Sequence, residues 1–189
     1  MSAVFVVLLA IAALIAKPYI KERRIIDKGA AVPSGYYCYG IDISRYQTDI
    51  EWEKIKVLTD AHGRRTNSIN LAKDIRNISY VFIKATEGNS FKDKYFKRHW
   101  KNAGKCGIRR GAYHFFRSSK DAENQARHFI NTVGELSDND LPPVLDIETI
   151  HKGCSYKTLN DKALIWLKTV EKHYGKKPIV YSSASFIND

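Results

Sequence analysis

The sequence is poor in cysteine, and its three cysteines, Cys38, Cys106 and Cys154, stand far apart without a CxxC pair. This pattern excludes a disulfide scaffold and a zinc ribbon and allows at most one bridge, so the pairing of Cys38 with Cys106 stays open. His151 lies three residues before Cys154, but no second ligand pair completes a zinc set, so no metal is expected. The GxGxxG, Walker A and GxSxG motifs are also missing.

Acidic residues are in deficit, since 20 Asp and Glu stand against 31 Lys and Arg and give a formal net charge of +11. Such a charge indicates an anionic partner: a nucleic acid, an acidic membrane or an anionic polymer. The basic side chains are scattered over predicted helices and form no stripe interleaved with aromatic rings, so the signal for a nucleic-acid surface is unspecific. No nucleic-acid partner is expected, and a membrane-anchored basic nucleic-acid binder is kept only as the last alternative. With 189 residues, 44% of them hydrophobic, the chain fits one folded domain with an appendage.

A single long hydrophobic run stands at the N-terminus, where residues 3–16 carry no polar side chain and Lys17, Lys21, Arg23 and Arg24 follow. Residues 1–28 are therefore interpreted as a hydrophobic helix, either a signal peptide or a membrane anchor with a basic flank, and residues 29–36 as a linker. A helix packed on the domain is the alternative. Because the positive charges follow the run, a retained anchor would favour a cytoplasmic C-terminal side.

The body, residues 37–189, alternates between short β-rich runs and segments with helical apolar spacing. Five strands are predicted at residues 39–43, 79–85, 108–116, 144–147 and 178–182. Four helices are predicted within residues 52–58, 91–103, 122–133 and 163–174. Ser90 and Asp93 resemble a capping box for the second helix, Ser118 and Asp121 lie near the cap of the third, and Gly175 ends the fourth. The polar residues 64–77 are interpreted as a surface loop.

Strands joined by crossover helices predict an α/β protein with a parallel sheet. An open doubly wound sheet and a (β/α) barrel both fit this pattern. The body has about 150 residues, fewer than the ~200 that an eight-stranded barrel needs.

Acidic residues occupy the carboxyl ends of three predicted strands: Asp42, Glu87, and the pair Asp146 and Glu148. In a parallel α/β fold these ends converge on one rim, where ligands bind. Two carboxyl groups two residues apart on a strand share a face, so their mutual repulsion and partial burial are expected to raise one pKa. A proton donor beside a carboxylate is the pair that cleaves a glycosidic bond. Helix capping or pairing with Lys and Arg is the alternative.

Aromatic residues at or just past the same strand ends could together line a cleft for a sugar, although each ring taken alone fits a hydrophobic core better. They are Tyr46, Tyr113, Phe115, Phe116 and Tyr181. His114, inside a predicted strand, is interpreted as a hydrogen-bonded core histidine.

Taken together, these segments resemble glycoside hydrolase family 25, the lysozymes also called N-acetylmuramidases. The resemblance spans residues 39–183 and rests, in order, on YGIDISRYQTDIEWEKIK, VFIKATEGNSFKDKYFKRHWKNAGKCGIRRGAYHFF, QARHFI, LPPVLDIE and KPIVYSS. It implies a TIM-like barrel of the (β/α)5β3 kind. It also implies peptidoglycan as the substrate, cut at the β-1,4 bond between N-acetylmuramic acid and N-acetylglucosamine.

The resemblance further implies roles for individual residues. Glu148 would be the general acid, and Asp146 would orient the substrate's 2-acetamido group as an internal nucleophile, although attack by water stays open. Asp42 would lie beside them on the floor of the cleft. Four further residues match positions that shape the cleft: Gln47, Glu87, Tyr113 and Tyr181. No cofactor is implied, and the protein is expected to be a monomer.

The sequence departs from the family pattern in two ways. The family's last three strands are absent, so the barrel is expected to be incomplete at the C-terminus and residues 37–189 to be a truncated catalytic domain. A catalytically inactive wall-binding fragment is therefore the alternative function. A wall-degrading enzyme is also expected to be extracytoplasmic, secreted or anchored through its N-terminal helix, which conflicts with the order of charges there.

Overall fold

The computed structural model describes residues 38–62, 64–183 and 186. The predicted N-terminal hydrophobic helix within residues 1–28 and the linker 29–36 lie outside the described residues. The chain divides into two units: residues 56–77 are the described part of one, and residues 38–55 with the chain from residue 78 onward form the other.

The described residues form eight strands and three α-helices. The strands are β1 (Gly40–Ile43), β2 (Lys56–Thr59), β3 (Asp74–Asn77), β4 (Tyr80–Glu87), β5 (Phe91–Lys92), β6 (Arg109–Phe115), β7 (Val144–Asp146) and β8 (Ile179–Tyr181). The helices are α1 (Phe96–Lys105), α2 (Ala122–Val133) and α3 (Tyr156–Tyr174).

A parallel sheet with the order β1-β4-β6-β7-β8 forms the centre of the larger unit, and β5 pairs antiparallel with the end of β4. These five parallel strands are the five that the sequence predicts. They lie side by side in chain order, as in a (β/α) barrel. In a doubly wound sheet, by contrast, the order in which strands are added reverses at a switch point. The α/β class is confirmed, and the strand order favours the barrel alternative.

Helix α2 matches its predicted range, and α3 ends at Tyr174 as predicted, but α3 begins at Tyr156, well before the predicted range 163–174. The Asp121 carboxylate accepts a hydrogen bond from the Asn124 N–H at 2.8 Å, and the Ser155 hydroxyl accepts one from the Thr158 N–H at 3.1 Å. Such N-caps satisfy backbone donors that a helix leaves free. Gly175 ends α3 in the left-handed conformation, with φ 65°, where a side chain would be strained.

The prediction of a helix over residues 52–58 is wrong. Only the 3-10 turn Trp52–Lys54 is helical, and Lys56–Thr59 instead forms β2, which pairs antiparallel with β3. Part of the predicted surface loop 64–77 is therefore a strand. The apolar spacing of Trp52, Ile55 and Leu58 also fits a single turn followed by a strand, so the pattern alone did not separate these structures.

The predicted start of the second helix is also wrong, because Phe91 lies in β5 and α1 begins only at Phe96. Asp93 does not form a capping box with Ser90. Its carboxylate accepts hydrogen bonds from the Arg45 N–H at 2.6 Å and the Tyr95 N–H at 2.9 Å, which ties the segment after β1 to the segment before α1.

The core lies between the sheet and the helices, where alternate strand residues pack against α1, α2 and α3. His114 belongs to this face, as predicted, and is fully buried. Its Nδ1 lies 2.7 Å from the Thr86 hydroxyl, its Nε2 lies 3.1 Å from the Gln125 amide oxygen, and its ring stacks on Trp166. Burial lowers the pKa of His114 to about 3, so the imidazole is neutral.

No helix in the described part of the chain is long and apolar enough to cross a membrane. Cys38, Cys106 and Cys154 are all free thiols.

His114 should make the fold acid-sensitive. The unfolded chain binds a proton at His114 near pH 6.5, whereas the folded chain resists protonation down to about pH 3. The free energy of unfolding therefore decreases as the pH is lowered through this window. We expect His114→Gln to reduce the loss of unfolding free energy between about pH 6.5 and 5 by roughly 2 kcal/mol. Urea unfolding at both pH values measures it. The exposed His62→Gln serves as the control, and an unchanged pH dependence in His114→Gln would contradict the assignment.

Candidate active site

The strand register places the predicted site residues on the sheet face opposite the helices. Phe115 is the register partner of both Glu87 and Asp146, and Asp146 is in turn the partner of Tyr181. Register partners in neighbouring strands share a face, and side chains two residues apart share it too. This face, called the site face below, carries Asp42, Phe82, Lys84, Glu87, Tyr113, Phe115, Asp146 and Tyr181.

Asp146 ends β7 and is the most unusual charged group on the site face. It is only 7% exposed, and in the described part of the chain its Oδ1 atom is buried without a hydrogen-bond partner. Burial first and the negative charge of Glu148 second raise the pKa of Asp146 to about 7. The expected elevation of one pKa in this pair is therefore confirmed, and it falls on Asp146.

Glu148 follows β7 on a segment that continues the sheet. The N–H of the intervening Ile147 donates to the Tyr181 carbonyl at 2.9 Å, and the Ser182 hydroxyl donates to the Ile147 carbonyl. These two bonds fix the backbone of Ile147, the residue directly before Glu148. Glu148 itself is half-buried.

Asp42 and Glu148 both act electrostatically on the groups around Asp146. Both raise the pKa of Asp146. After burial, the largest influences on the pKa of Tyr113 are Asp42 and Asp146, and Tyr181 responds to Glu148, Asp146 and Asp42. The carboxyl groups from β1 and from the end of β7 therefore share one electrostatic environment.

Two tyrosine hydroxyls complete the site face as neutral hydrogen-bonding groups. Burial first and the surrounding carboxyl groups second raise the pKa values of Tyr113 and Tyr181 above the usual range of a phenol. Tyr113 is half-buried, whereas Tyr181 is 53% exposed and presents its ring to solvent. Both can donate a hydrogen bond to a ligand and offer a flat apolar surface.

Glu87 lies at the end of β4 and is paired with two cations. Partial burial would raise the pKa of Glu87, but hydrogen bonds from Lys84 and Arg117 outweigh it, so the pKa lies below its ordinary value. Lys84 Nζ lies 2.7 Å from Glu87 Oε2, and Arg117 Nε donates to Glu87 Oε1 at 2.9 Å. Glu87 is thus an ionised carboxylate at neutral pH.

Gln47 and two of the predicted aromatic residues have other surroundings. The Gln47 amide oxygen accepts from the Ser44 N–H at 2.9 Å in the exposed turn after β1. Phe116 is fully buried on the helix-facing side of the sheet, so its assignment to a cleft is wrong. Tyr46 is 75% exposed beneath the guanidinium of Arg45.

Sequence reasoning missed Lys84 and Arg117 as site residues. Both lie inside motifs quoted above or directly after them, in KATEG and after AYHFF. Lys84 stands three residues before Glu87, a spacing that on a regular strand would place the two side chains on opposite faces. The acidic strand ends alone therefore gave no signal for the basic groups that accompany them.

The sequence is similar to a protein-family model and to curated proteins. The model of glycosyl hydrolases family 25 matches residues 41–189. The uncharacterized protein YegX of Escherichia coli K12 is 43% identical over 164 residues, which are 87% of this chain and 55% of YegX. Lysozyme M1 of Streptomyces globisporus is 32% identical over 175 residues, 88% of this chain and 52% of the lysozyme. The chain spans about half the length of these curated relatives.

Solved structures show the same relationship. A family 25 glycosyl hydrolase from Bacillus anthracis aligns with a TM-score of 0.64 at 32% identity, covering 83% of this chain and 69% of that one. A bacterial lysozyme from Streptomyces coelicolor also gives 0.64, at 29% identity, covering 82% and 67%. The match to the family model over most of its length shows that the chain belongs to glycosyl hydrolases family 25.

Proposed function

We propose that the protein is a peptidoglycan hydrolase that cuts the β-1,4 bond between N-acetylmuramic acid and N-acetylglucosamine. The observation that carries the proposal is the buried carboxyl group of Asp146, coupled to Glu148 on a face lined by tyrosine hydroxyls. Membership of a glycosidase family and similarity to named lysozymes support this choice of substrate.

We assign Glu148 the role of general acid. Its half-buried position leaves it accessible to a ligand at the carboxyl ends of the strands. In this step the Glu148 carboxyl proton passes to the glycosidic oxygen, the bond from that oxygen to C1 of the muramic acid breaks, and N-acetylglucosamine leaves. Glu148 then removes a proton from the water that completes hydrolysis.

We assign Asp146 the orientation of the 2-acetamido group. A buried carboxylate oxygen without a partner in the described residues is satisfied when a ligand donates a hydrogen bond to it, and the acetamido N–H is such a donor. The acetamido carbonyl oxygen then attacks C1 and forms a cyclic intermediate that water opens. Retention of the anomeric configuration, observed by NMR, would support this route, whereas inversion would indicate direct attack by water.

The proton balance of the pair fits these assignments. In the free chain the buried Asp146 retains a proton up to about pH 7. A hydrogen bond from the substrate to Oδ1 stabilises the ionised form of Asp146. The ionised Asp146 is then the charged partner of the general acid Glu148 in the two-carboxylate scheme.

The remaining site residues complete a cleft in this proposal. Asp42 lies beside the pair, Tyr113 and Tyr181 offer hydroxyl groups and rings to the sugar, and Glu87 fixes the basic side chains next to them. Gln47 shapes the entrance from the turn after β1. We further propose that the sheet belongs to a (β/α)5β3 barrel, that the protein works as a monomer without a cofactor, and that it acts outside the cytoplasm, secreted or anchored through residues 1–28.

A second function, wall binding without catalysis, is favoured by one observation. Ile179, Val180 and Tyr181 in β8 are each about half exposed at the edge of the sheet, next to Asp146. A cleft that is open on this side would bind glycan but exclude water poorly during the reaction. Purified peptidoglycan separates the two functions: release of reducing ends indicates hydrolysis, whereas co-sedimentation without release indicates binding alone.

Replacing the carboxyl groups should stop hydrolysis. We expect Glu148→Gln to lower the release of reducing ends by about 10² to 10⁴, because the general acid is lost, and Asp146→Asn by about 10² or more. The exposed Glu135→Gln, with the same chemical change, should retain full activity. Retained hydrolysis by Glu148→Gln, with a circular dichroism spectrum like that of the unsubstituted protein, would refute the assignment of the acid.

The same buried carboxyl should cost stability at alkaline pH. The pKa of Asp146 is raised on folding, so the stability it contributes is complete below about pH 4 and is lost as the pH rises through about 7. We expect Asp146→Asn to raise the unfolding free energy by roughly 2 to 4 kcal/mol near pH 8, with little gain near pH 4. Urea unfolding at both pH values tests this, with the exposed Asp138→Asn as the control. An equal effect at both pH values would contradict it.

A further inference from the structure

A chain of ion pairs runs along the site face beside Asp146. Each oxygen of the Glu87 carboxylate has its own cation: Lys84 Nζ lies 2.7 Å from Oε2, and the Arg117 guanidinium holds Oε1 through both Nε and a terminal nitrogen. A paired, doubly held carboxylate fixes the position of both cations more firmly than a single contact would. Lys84 is therefore held in one place.

An irregularity in β4 makes this arrangement possible. Lys84 is the register partner of Tyr113, whereas Thr86 is the partner of His114, so Ala85 is an extra residue in the strand. Such a bulge reverses the alternation of side chains beyond it. Lys84 and Glu87, three residues apart, consequently lie on the same face and can form their ion pair.

A buried polar network holds both the bulge and Arg117. The Thr86 hydroxyl donates to His114 Nδ1, and His114 Nε2 donates to the Gln125 amide oxygen, which also accepts from the Arg117 N–H at 2.9 Å. The Gln125 amide nitrogen donates to the Arg117 carbonyl at 3.1 Å. Thr86, His114 and Gln125 are fully buried, so these bonds compete with no solvent.

Lys84 and Asp146 lie on the same face of the sheet, on β4 and β7, the two strands that flank β6. The Lys84 ammonium group lies 4.7 Å from the centre of the Phe115 ring, as does the Arg117 guanidinium, and Phe115 is the register partner of Asp146. Among the charged groups that act on Asp146, Glu148, Asp42 and Glu87 favour its protonated form, and Lys84 opposes them. The neighbouring hydroxyl groups, Tyr113 and Tyr181, are neutral.

We propose that Lys84 is a positioning residue whose ammonium group, fixed by Glu87 and through it by Arg117, supplies the positive charge that balances the Asp146 carboxylate. Its consequence for catalysis rests on the proposed function, because only there must Asp146 be ionised when substrate is bound. Lys84 thus sets the acid limit of the reaction without taking part in proton transfer.

Titration of Asp146 tests the proposal without any need for activity. The ¹³C chemical shift of the Asp146 side-chain carboxyl, assigned by its loss in Asp146→Asn, is followed from about pH 3 to 9 in the full chain. We expect Lys84→Met to move the midpoint upward by about half a pH unit or more and Lys84→Arg to leave it nearly in place. Lys101→Met, an exposed position on α1, should not move it.

Activity against peptidoglycan gives the second readout. In Lys84→Met the acid limb of the pH profile should move upward with the NMR midpoint, and the rate lost near pH 5 should return near pH 8. In Arg117→Gln the acid limb should move in the same direction but less. Without Arg117, both Glu87 oxygens can bind the Lys84 ammonium group and shift it away from Asp146. If the protein has no activity, the proposed function fails while the titration still decides on Lys84.

An unchanged Asp146 midpoint in Lys84→Met would overturn the proposal, provided that the variant retains the NMR dispersion of a folded chain. If Lys84→Met does not fold, Lys84→Gln and Arg117→Gln replace it in the same titration. An equal midpoint change in Lys84→Arg and Lys84→Met would also overturn it, since loss of packing and not loss of charge would then be the cause.

Discussion

The burial of one carboxyl group, Asp146, is the constraint on which the rest of the site depends. Removing a carboxylate from water is costly, and here the cost is increased by Glu148 and Asp42, which carry charge of the same sign. Three features of the site face offset this cost: the Lys84 ammonium group, the neutral hydroxyls of two tyrosines, and the Asp146 Oδ1 atom, to which a ligand can donate a hydrogen bond. A group that is expensive in the free protein can thereby be stabilised when substrate binds.

The sheet can carry a buried carboxyl group on one face because its other face is a packed hydrophobic core. Valine, isoleucine, alanine and leucine side chains of β4, β6 and β7 are buried against the helices, and the polar residues among them are joined to each other by hydrogen bonds. The network of Thr86, His114 and Gln125 serves both faces, since it belongs to the core and also fixes the bulge and the backbone of Arg117. Stability of the core and geometry of the site are therefore coupled.

Much of this could be predicted from the sequence, because the five parallel strands are short apolar runs and because Asp121 before α2 and Gly175 after α3 are local signals. The pair Asp146 and Glu148 was found from its position at a predicted strand end together with its two-residue spacing. Lys84 could not be found, because the bulge at Ala85 that turns it toward Glu87 arises from pairing with β6. For the same reason Asp93, which resembles a local cap, instead binds the distant Arg45 backbone, and residues 56–59 pair as a strand.

The most direct test of the account is a crystal structure of the Glu148→Gln variant with a tetrasaccharide of alternating N-acetylglucosamine and N-acetylmuramic acid. We expect the acetamido nitrogen of a muramic acid within hydrogen-bonding distance, about 3 Å, of Asp146 Oδ1, and the side chain at position 148 beside the glycosidic oxygen. A glycan bound away from the carboxyl ends of β1 and β7, or one whose acetamido group points away from Asp146, would contradict it.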